Sequence, residues 1–287
     1  MSSHKSNISL TRVLTSLLAV ALATSIAAPS AAQEPRSPDV HFVPTPHEVV
    51  SAMLEVAQVQ KSDVLYDLGS GDGRIVIAAA KKHGTRGTGI DLDPARIKES
   101  RTAARKAGVT DKVEFRQADL FETDLRKASV VTLYLLPTLN VKLRPKLYQE
   151  LRPGSRIVSH AFDMGDWKPD STFMASTSAV FYWVMPANAG GEWLVAAPGG
   201  KEYTLRLRQK FQNLEGTAER NGTTMQLSMA RIKGDKVTLE IADPDGKVRL
   251  VGRVEGGTMS GSTRSSRSKW SAQRIGSAPP LGTEEDA

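Results

Sequence analysis

Between about Val40 and Pro186 the chain alternates two textures. A short apolar run at 64–67 reads as a strand, and the segments at 88–91, 113–116, 130–135 and 156–160 read as further short strands. Between them, at 75–83, 94–107 and 141–151, apolar residues recur every three or four positions, as one face of a helix requires. A first helix is expected from Thr45-Pro46-His47-Glu48. Thr45 is placed to cap it, Pro46 suits the first helical position, and Glu48 completes a capping box. Gly108 and Pro153-Gly154 close later helices, and an apolar run at 180–185 adds a last strand. Strands alternating with helices predict right-handed crossovers and a parallel sheet covered on both faces, an α/β domain over 33–187.

Past Pro186 the period falls to two. Tyr203, Leu205 and Leu207 alternate with polar residues, as do Met225, Leu227 and Met229, then Val237, Leu239 and Ile241, then Val248 and Leu250. Asn221-Gly222, Lys233-Gly234-Asp235 and Asp245-Gly246 stand between these runs as hairpin turns. The expectation is an antiparallel all-β domain over 188–276, a meander or small barrel that helps to dock a partner, with a disordered tail at 277–287.

The chain begins differently. Lys5 and Arg12 precede an apolar, uncharged run at 13–28, and Ser30-Ala31-Ala32 offers cleavage before Gln33. Residues 1–32 are read as a signal peptide and the mature protein as exported, periplasmic or extracellular. An acid-free leader carrying Arg also fits a mitochondrial transit peptide or a membrane anchor. Thr15, Ser16, Thr24 and Ser25 interrupt the run and favour cleavage, so no membrane span is expected to remain.

Composition removes several chemistries. With no cysteine, disulfides, thiolate catalysis and Cys-ligated zinc are excluded. The five histidines show no metal-ligand spacing, so no metal is expected. A net charge of +7 comes from scattered basic residues, which reads as a solvated surface rather than a nucleic-acid site.

The sharpest local signal is Asp67-Leu68-Gly69-Ser70-Gly71-Asp72-Gly73-Arg74, between a strand and a helix. Gly69, Gly71 and Gly73 permit a tight turn and close approach of a ligand. Arg74 stands where the dinucleotide fingerprint needs another glycine, and Asp67 and Asp72 would repel a pyrophosphate. Carboxylates suit a ligand carrying an ammonium group. Asp91 ends the second strand, where an acid accepts both hydroxyls of a ribose. Asp119 follows the third, where a carboxylate can take an adenine amino proton while Leu120 and Phe121 give the ring apolar contact. All lie at carboxyl ends of parallel strands, where open α/β sheets bind ligands.

The run DLGSGDGRIVIAA, then GIDLD, then ADLF, resembles motifs I, II and post-II of class I S-adenosylmethionine-dependent methyltransferases. VPTPHEVVSAML ahead of that run, with ADLFETDL after it, is similar to small protein-lysine N-methyltransferases of mitochondria and their prokaryotic relatives. Those enzymes act on a membrane-ring component of ATP synthase or on the adenine nucleotide translocator. The resemblance covers about half of the chain. It implies a Rossmann-like methyltransferase sheet followed by the small β domain, S-adenosyl-L-methionine as cofactor, and a protein substrate, membrane-associated in those relatives. It also implies Tyr134, at the end of the fourth strand, as the acceptor-facing catalytic residue.

Tyr134-Leu135-Leu136-Pro137 lacks the Asn/Asp-Pro-Pro-aromatic motif of amino-methylating DNA enzymes, which argues against a base substrate. His160, Asp163, Asp166 and Trp167 follow the fifth strand and are candidates for the acceptor wall. Arg264, Arg267, Lys269 and Arg274, with Trp270, read as a solvated edge strand carrying one core tryptophan. Two alternatives stay open on the residues alone: a small-molecule methyltransferase, and an exported binding protein that keeps the fold without the activity.

Overall fold

The computed structural model describes residues 42–262 and 268–281. The expected leader, the positions Arg264 and Arg267, and most of the expected tail lie outside the described residues.

Seven strands form one sheet: β1 (Val64–Leu68), β2 (Arg86–Asp91), β3 (Val113–Gln117), β4 (Val130–Leu133), β5 (Arg156–His160), β6 (Ser171–Ala175) and β7 (Ser178–Val184). Their spatial order is β3-β2-β1-β4-β5-β7-β6. The first five are parallel, while β7 runs antiparallel to both β5 and β6. Helices α1 (His47–Val56), α2 (Arg74–His83), α3 (Pro94–Ala107) and α4 (Pro137–Glu150) cover it. Leu65, Val130 and Val158 pack with α1, α2 and α3 on one face. Leu68, Val131, Leu133 and Ile157 pack with Leu143 and Leu147 of α4 on the other. Burial on both faces suits the apolar residues of β1 and β4, whereas β3, at the sheet's edge, buries only Phe115.

Two local expectations are corrected. Thr45 does not cap α1, whose N-cap is Pro46 without a side-chain bond. Instead the Thr45 hydroxyl pairs with His160, 115 residues away in sequence. The fourth helix begins at Pro137 rather than residue 141, since proline at the first turn sacrifices no helical hydrogen bond, and it continues through Pro145.

The alternating half closes into an eight-stranded antiparallel barrel, β8 (Gly191–Ala197), β9 (Lys201–Lys210), β10 (Asn213–Arg220), β11 (Thr223–Lys233), β12 (Lys236–Ile241), β13 (Val248–Glu255), β14 (Thr258–Ser262) and β15 (Lys269–Ile275). Asn221 and Gly222 turn β10 into β11 with φ of +52° and +75°, the double left-handed geometry of a tight hairpin. Trp193, Leu205, Leu239, Leu250, Met259 and Trp270 fill the interior. Trp270 is the core tryptophan expected there. Its strand, however, is paired on both sides and is no edge. Arg274 is buried over the Trp193 ring and donates to the carbonyls of Asn188 and Gly190.

Barrel and sheet share one compact unit. Phe211, at the tip of the β9–β10 hairpin, is buried in the sheet's α4-side layer and stacks on Trp167 at 5.8 Å. The Trp167 indole donates to the Gln212 side chain at 2.9 Å, and the Gln212 amide donates to the Lys168 carbonyl at 2.6 Å. No helix among the described residues is long and apolar enough to cross a membrane.

Candidate active site

The carboxyl ends of β1, β2 and β4 open into a cleft of about 640 Å³, walled by Gly69, Ser70, Ile90, Asp91, Leu120 and Tyr134 among others. Its roof is the segment 42–45, whose four residues all line it.

Asp67 lies at this cleft near the end of β1, almost wholly buried. Burial pushes its carboxyl pKa up to about 7, against a hydrogen bond from the Thr132 hydroxyl at 2.7 Å; the nearby Asp91 and Asp72 charges push the same way as burial. Gly69 follows at φ +79°, and a Cβ there would stand 2.8 Å from the Leu135 side chain. The amides of Gly69 and Ser70 both donate to the Ile90 carbonyl at 2.9 Å, which folds the loop over the end of β2. Asp91 holds that loop from the other side: Oδ2 accepts the Gly71 amide at 2.8 Å and Oδ1 the Asp93 amide at 2.9 Å.

Asp72 does not face a ligand alone. Its carboxylate is gripped by the Arg74 guanidinium at 2.6 to 3.1 Å, which holds its pKa below the ordinary value despite partial burial. Arg74 also donates to the Thr45 carbonyl at 2.8 Å and so anchors the roof.

Three of the expected donor residues have other neighbours. Gly71 lies under the Phe42 ring, with which a Cβ would collide, and the Phe42 ring in turn carries the Arg96 guanidinium at 4.9 Å. Gly73 faces away from the cleft: a Cβ there would stand 2.6 Å from Phe115 and 2.9 Å from Ser100, so its bareness serves helix packing. Asp119 closes the turn after β3, its Oδ1 accepting the Phe121 amide at 2.8 Å, while its neighbours Ala118 and Leu120 line the cleft.

The model of the ANTKMT methyltransferase domain family matches residues 67–171. A protein-lysine N-methyltransferase of Saccharolobus islandicus is 45% identical over 133 residues, covering 46% of this chain and 83% of the relative. The chain belongs to the protein-lysine N-methyltransferase family.

A second relative, an ATP synthase lysine N-methyltransferase of Rattus norvegicus, is 32% identical over 61% of this chain and 81% of its own length. A solved structure described as an RNA methyltransferase from Salinibacter ruber, in complex with S-adenosyl-L-homocysteine, shows 59% identity. It covers 50% of this chain and 93% of that one, with a TM-score of 0.49. Membership of that family, and not the likeness to this structure, makes the chain an S-adenosylmethionine-dependent methyltransferase. The cleft fits such a donor: two carboxylates face it from adjacent strands, Gly69 leaves room for close approach, and the buried Ser70 hydroxyl at its wall lacks a hydrogen-bond partner.

Tyr134 also lines the cleft. Its ring lies 3.9 Å from that of His160, tilted by 38°, and stacks on Phe162 at 6.2 Å. Asp163 accepts the Gly165 amide at 3.1 Å and is not a wall residue of the cleft. Asp166 and Trp167 belong elsewhere. Asp166 pairs with Arg144 and Lys210, and Trp167 with the barrel hairpin, so both fasten the two halves together.

The sequence reading missed Thr132, Ser70 and Asn140. Asn140 is fully buried in α4 and donates to the carbonyls of Phe162 and Asp163, bracing the turn after β5. In that turn Ala161 adopts φ +64°, a left-handed strain that the neighbouring bonds must hold. An asparagine on an otherwise apolar helix face is the available signal for it.

Proposed function

We propose that the cleft holds S-adenosyl-L-methionine across the ends of β1 and β2 and that the acceptor is a lysine of a protein. The observation that carries the reading is the placement of Asp67 and Asp91 on adjacent strand ends with the bare backbone of Gly69 beside them. Asp91 accepts the ribose hydroxyls, since each oxygen spends one lone pair on the backbone and keeps another. Asp67 takes the donor's ammonium group. Ala118 and Leu120 flank the purine, and the turn closed by Asp119 sets their position.

The bound donor supplies an electrophilic methyl group on a sulfonium. The protein's part is to bring an uncharged amine in line with it. A free lysine, with a pKa of about 10.4, is protonated at pH 7, and removing that proton costs roughly 4.6 kcal/mol. Entry beside the half-buried Tyr134 ring takes the amine out of water, which favours its neutral form. Names of the relatives support lysine as the acceptor.

Labelled donor incubated with separate protein, RNA and small-molecule fractions of a cell extract tests this. Label is expected on lysine in the protein fraction, located by mass spectrometry. Label confined to RNA or small molecules defeats the acceptor assignment. Export, read from residues 1–32, belongs to this proposal with its own test: sequencing of the mature N-terminus, with Gln33 as the expected first residue.

A further inference from the structure

One side chain ties both jaws of the cleft's acceptor end together without lining it. Leu133 of β4 pairs with Ser159 of β5, so Tyr134 and His160 leave the sheet side by side, and their rings meet at 3.9 Å. On its other edge the imidazole reaches the roof: the Thr45 hydroxyl lies 3.1 Å from Nδ1, and both residues are buried. Thr45 and Tyr134 line the cleft, and His160 stands behind them.

We propose that His160 is a positioning residue for methyl transfer, holding the Tyr134 ring and the Thr45 backbone at a fixed separation and so setting the width of the acceptor entrance. The inference rests on the reading of this cleft as the transfer site.

Two observations support it. The imidazole is a costly filler: its Nε2 is buried without a hydrogen-bond partner, a cost an apolar side chain would avoid. What the imidazole adds is a directional bond to the roof. Among the described residues the other polar anchor at this residue runs from Arg74 to the Thr45 carbonyl, so the hydroxyl bond holds Thr45 from a second direction. The charge state is also suited to the task. Tyr134 faces the imidazole from β4, Thr45 from the roof and Val180 from β7, and burial alone holds its pKa below the ordinary value. A neutral ring behind the entrance does not repel the amine that must pass it.

The variants separate bond from ring. His160→Phe keeps a planar ring against Tyr134 and loses the bond, and Thr45→Val loses the same bond from the other partner. His160→Asn restores a bonding group at the Nδ1 position and loses the ring. Each is measured in the full chain for S-adenosyl-L-homocysteine affinity by calorimetry. Steady-state transfer is then measured with poly-L-lysine and with the labelled protein fraction as acceptors. His160→Phe and Thr45→Val should each raise the acceptor KM about threefold to tenfold, the worth of one neutral hydrogen bond, with donor affinity within twofold of wild type. The double variant should be no worse than either single one, because both remove one interaction.

Wild-type KM in both single variants, or additive losses in the double, overturns the proposal while leaving the methyltransferase reading intact. Should His160→Phe fail to fold, Thr45→Val alone carries the decision, since it exchanges a hydroxyl for a methyl group. A wild-type protein that transfers no methyl group to lysine overturns the acceptor reading first and this inference with it.

Discussion

The Gly71 amide donates to the Asp91 carboxylate across 2.8 Å, joining the glycine loop after β1 to the end of β2. The second oxygen of Asp91 receives the Asp93 amide at 2.9 Å, at the start of α3. One carboxylate therefore shapes both rims of the cleft. Asp91→Ala should weaken donor binding about tenfold to a hundredfold, the loss of roughly 1.5–3 kcal/mol for bonds to a charged acceptor. Asp91→Asn should fall between, because an amide can satisfy only one of the two backbone donors and opposes the other. Calorimetric titration of both variants decides it, and unchanged affinity in Asp91→Ala would remove Asp91 from the site.

Asp67 gives the protein a pH signature. Its folded pKa, about 7, exceeds the unfolded carboxylate value, so the native state binds more protons between about pH 4 and 7. Stability of the ligand-free protein should therefore fall as pH rises through that window, then level off above it. Asp67→Asn should remove the penalty, by an amount on the order of a few kcal/mol, and melt higher than wild type at pH 8 but not at pH 4. The same variant should lose most of its donor affinity, because the ammonium loses its counter-charge. Parallel melting curves at the two pH values, with a donor titration, check both halves.

Gly71 and Phe42 should behave as a coupled pair. Gly71→Ala forces a Cβ into the Phe42 ring and onto a backbone at φ +52°. The left-handed strain alone costs roughly 1–2 kcal/mol. Phe42→Ala removes the collision but not the strain, so the double variant should recover part of the donor affinity lost by Gly71→Ala. Simple additivity in a double-mutant cycle would show that the roof does not rest on the loop.

The gathering of residues at strand ends was readable because it depends on local spacing. A strand, a glycine turn and a helix put Asp67 and Gly69 on the sheet's rim, and the same logic placed Asp91, whereas Tyr134 was implied by the family resemblance alone. What the spacing could not show is which neighbour fills the space a glycine leaves. Gly73 makes room for Phe115 and Ser100, and Gly71 for Phe42, both brought in from other elements. The Thr45–His160 bond spans 115 residues and needs the roof folded back over β5. The edge strand β6 escaped notice because of its five residues only Phe173 and Ala175 pack inward, too short a pattern to register. Asp166 and Trp167 suggested a pocket by chain position, while their partners Lys210 and Gln212 come from the barrel.

Gln212 fastens Trp167 to the barrel hairpin. Gln212→Ala leaves the Trp167 indole N–H without its acceptor and should destabilise the protein by about 1–3 kcal/mol. Donor affinity should stay at the wild-type value, since neither residue lines the cleft. A loss of donor binding at unchanged stability would return Trp167 to the functional site.

The proposed methyl transfer requires a positively charged nucleoside donor bound where β1 and β2 end. Titration of the folded wild-type chain with S-adenosyl-L-methionine, followed by calorimetry, addresses it directly. One saturable site per chain is expected, weakened in both Asp67→Asn and Asp91→Ala. Correctly folded protein that gives no binding heat at any of several temperatures, or binding indifferent to both substitutions, would contradict it.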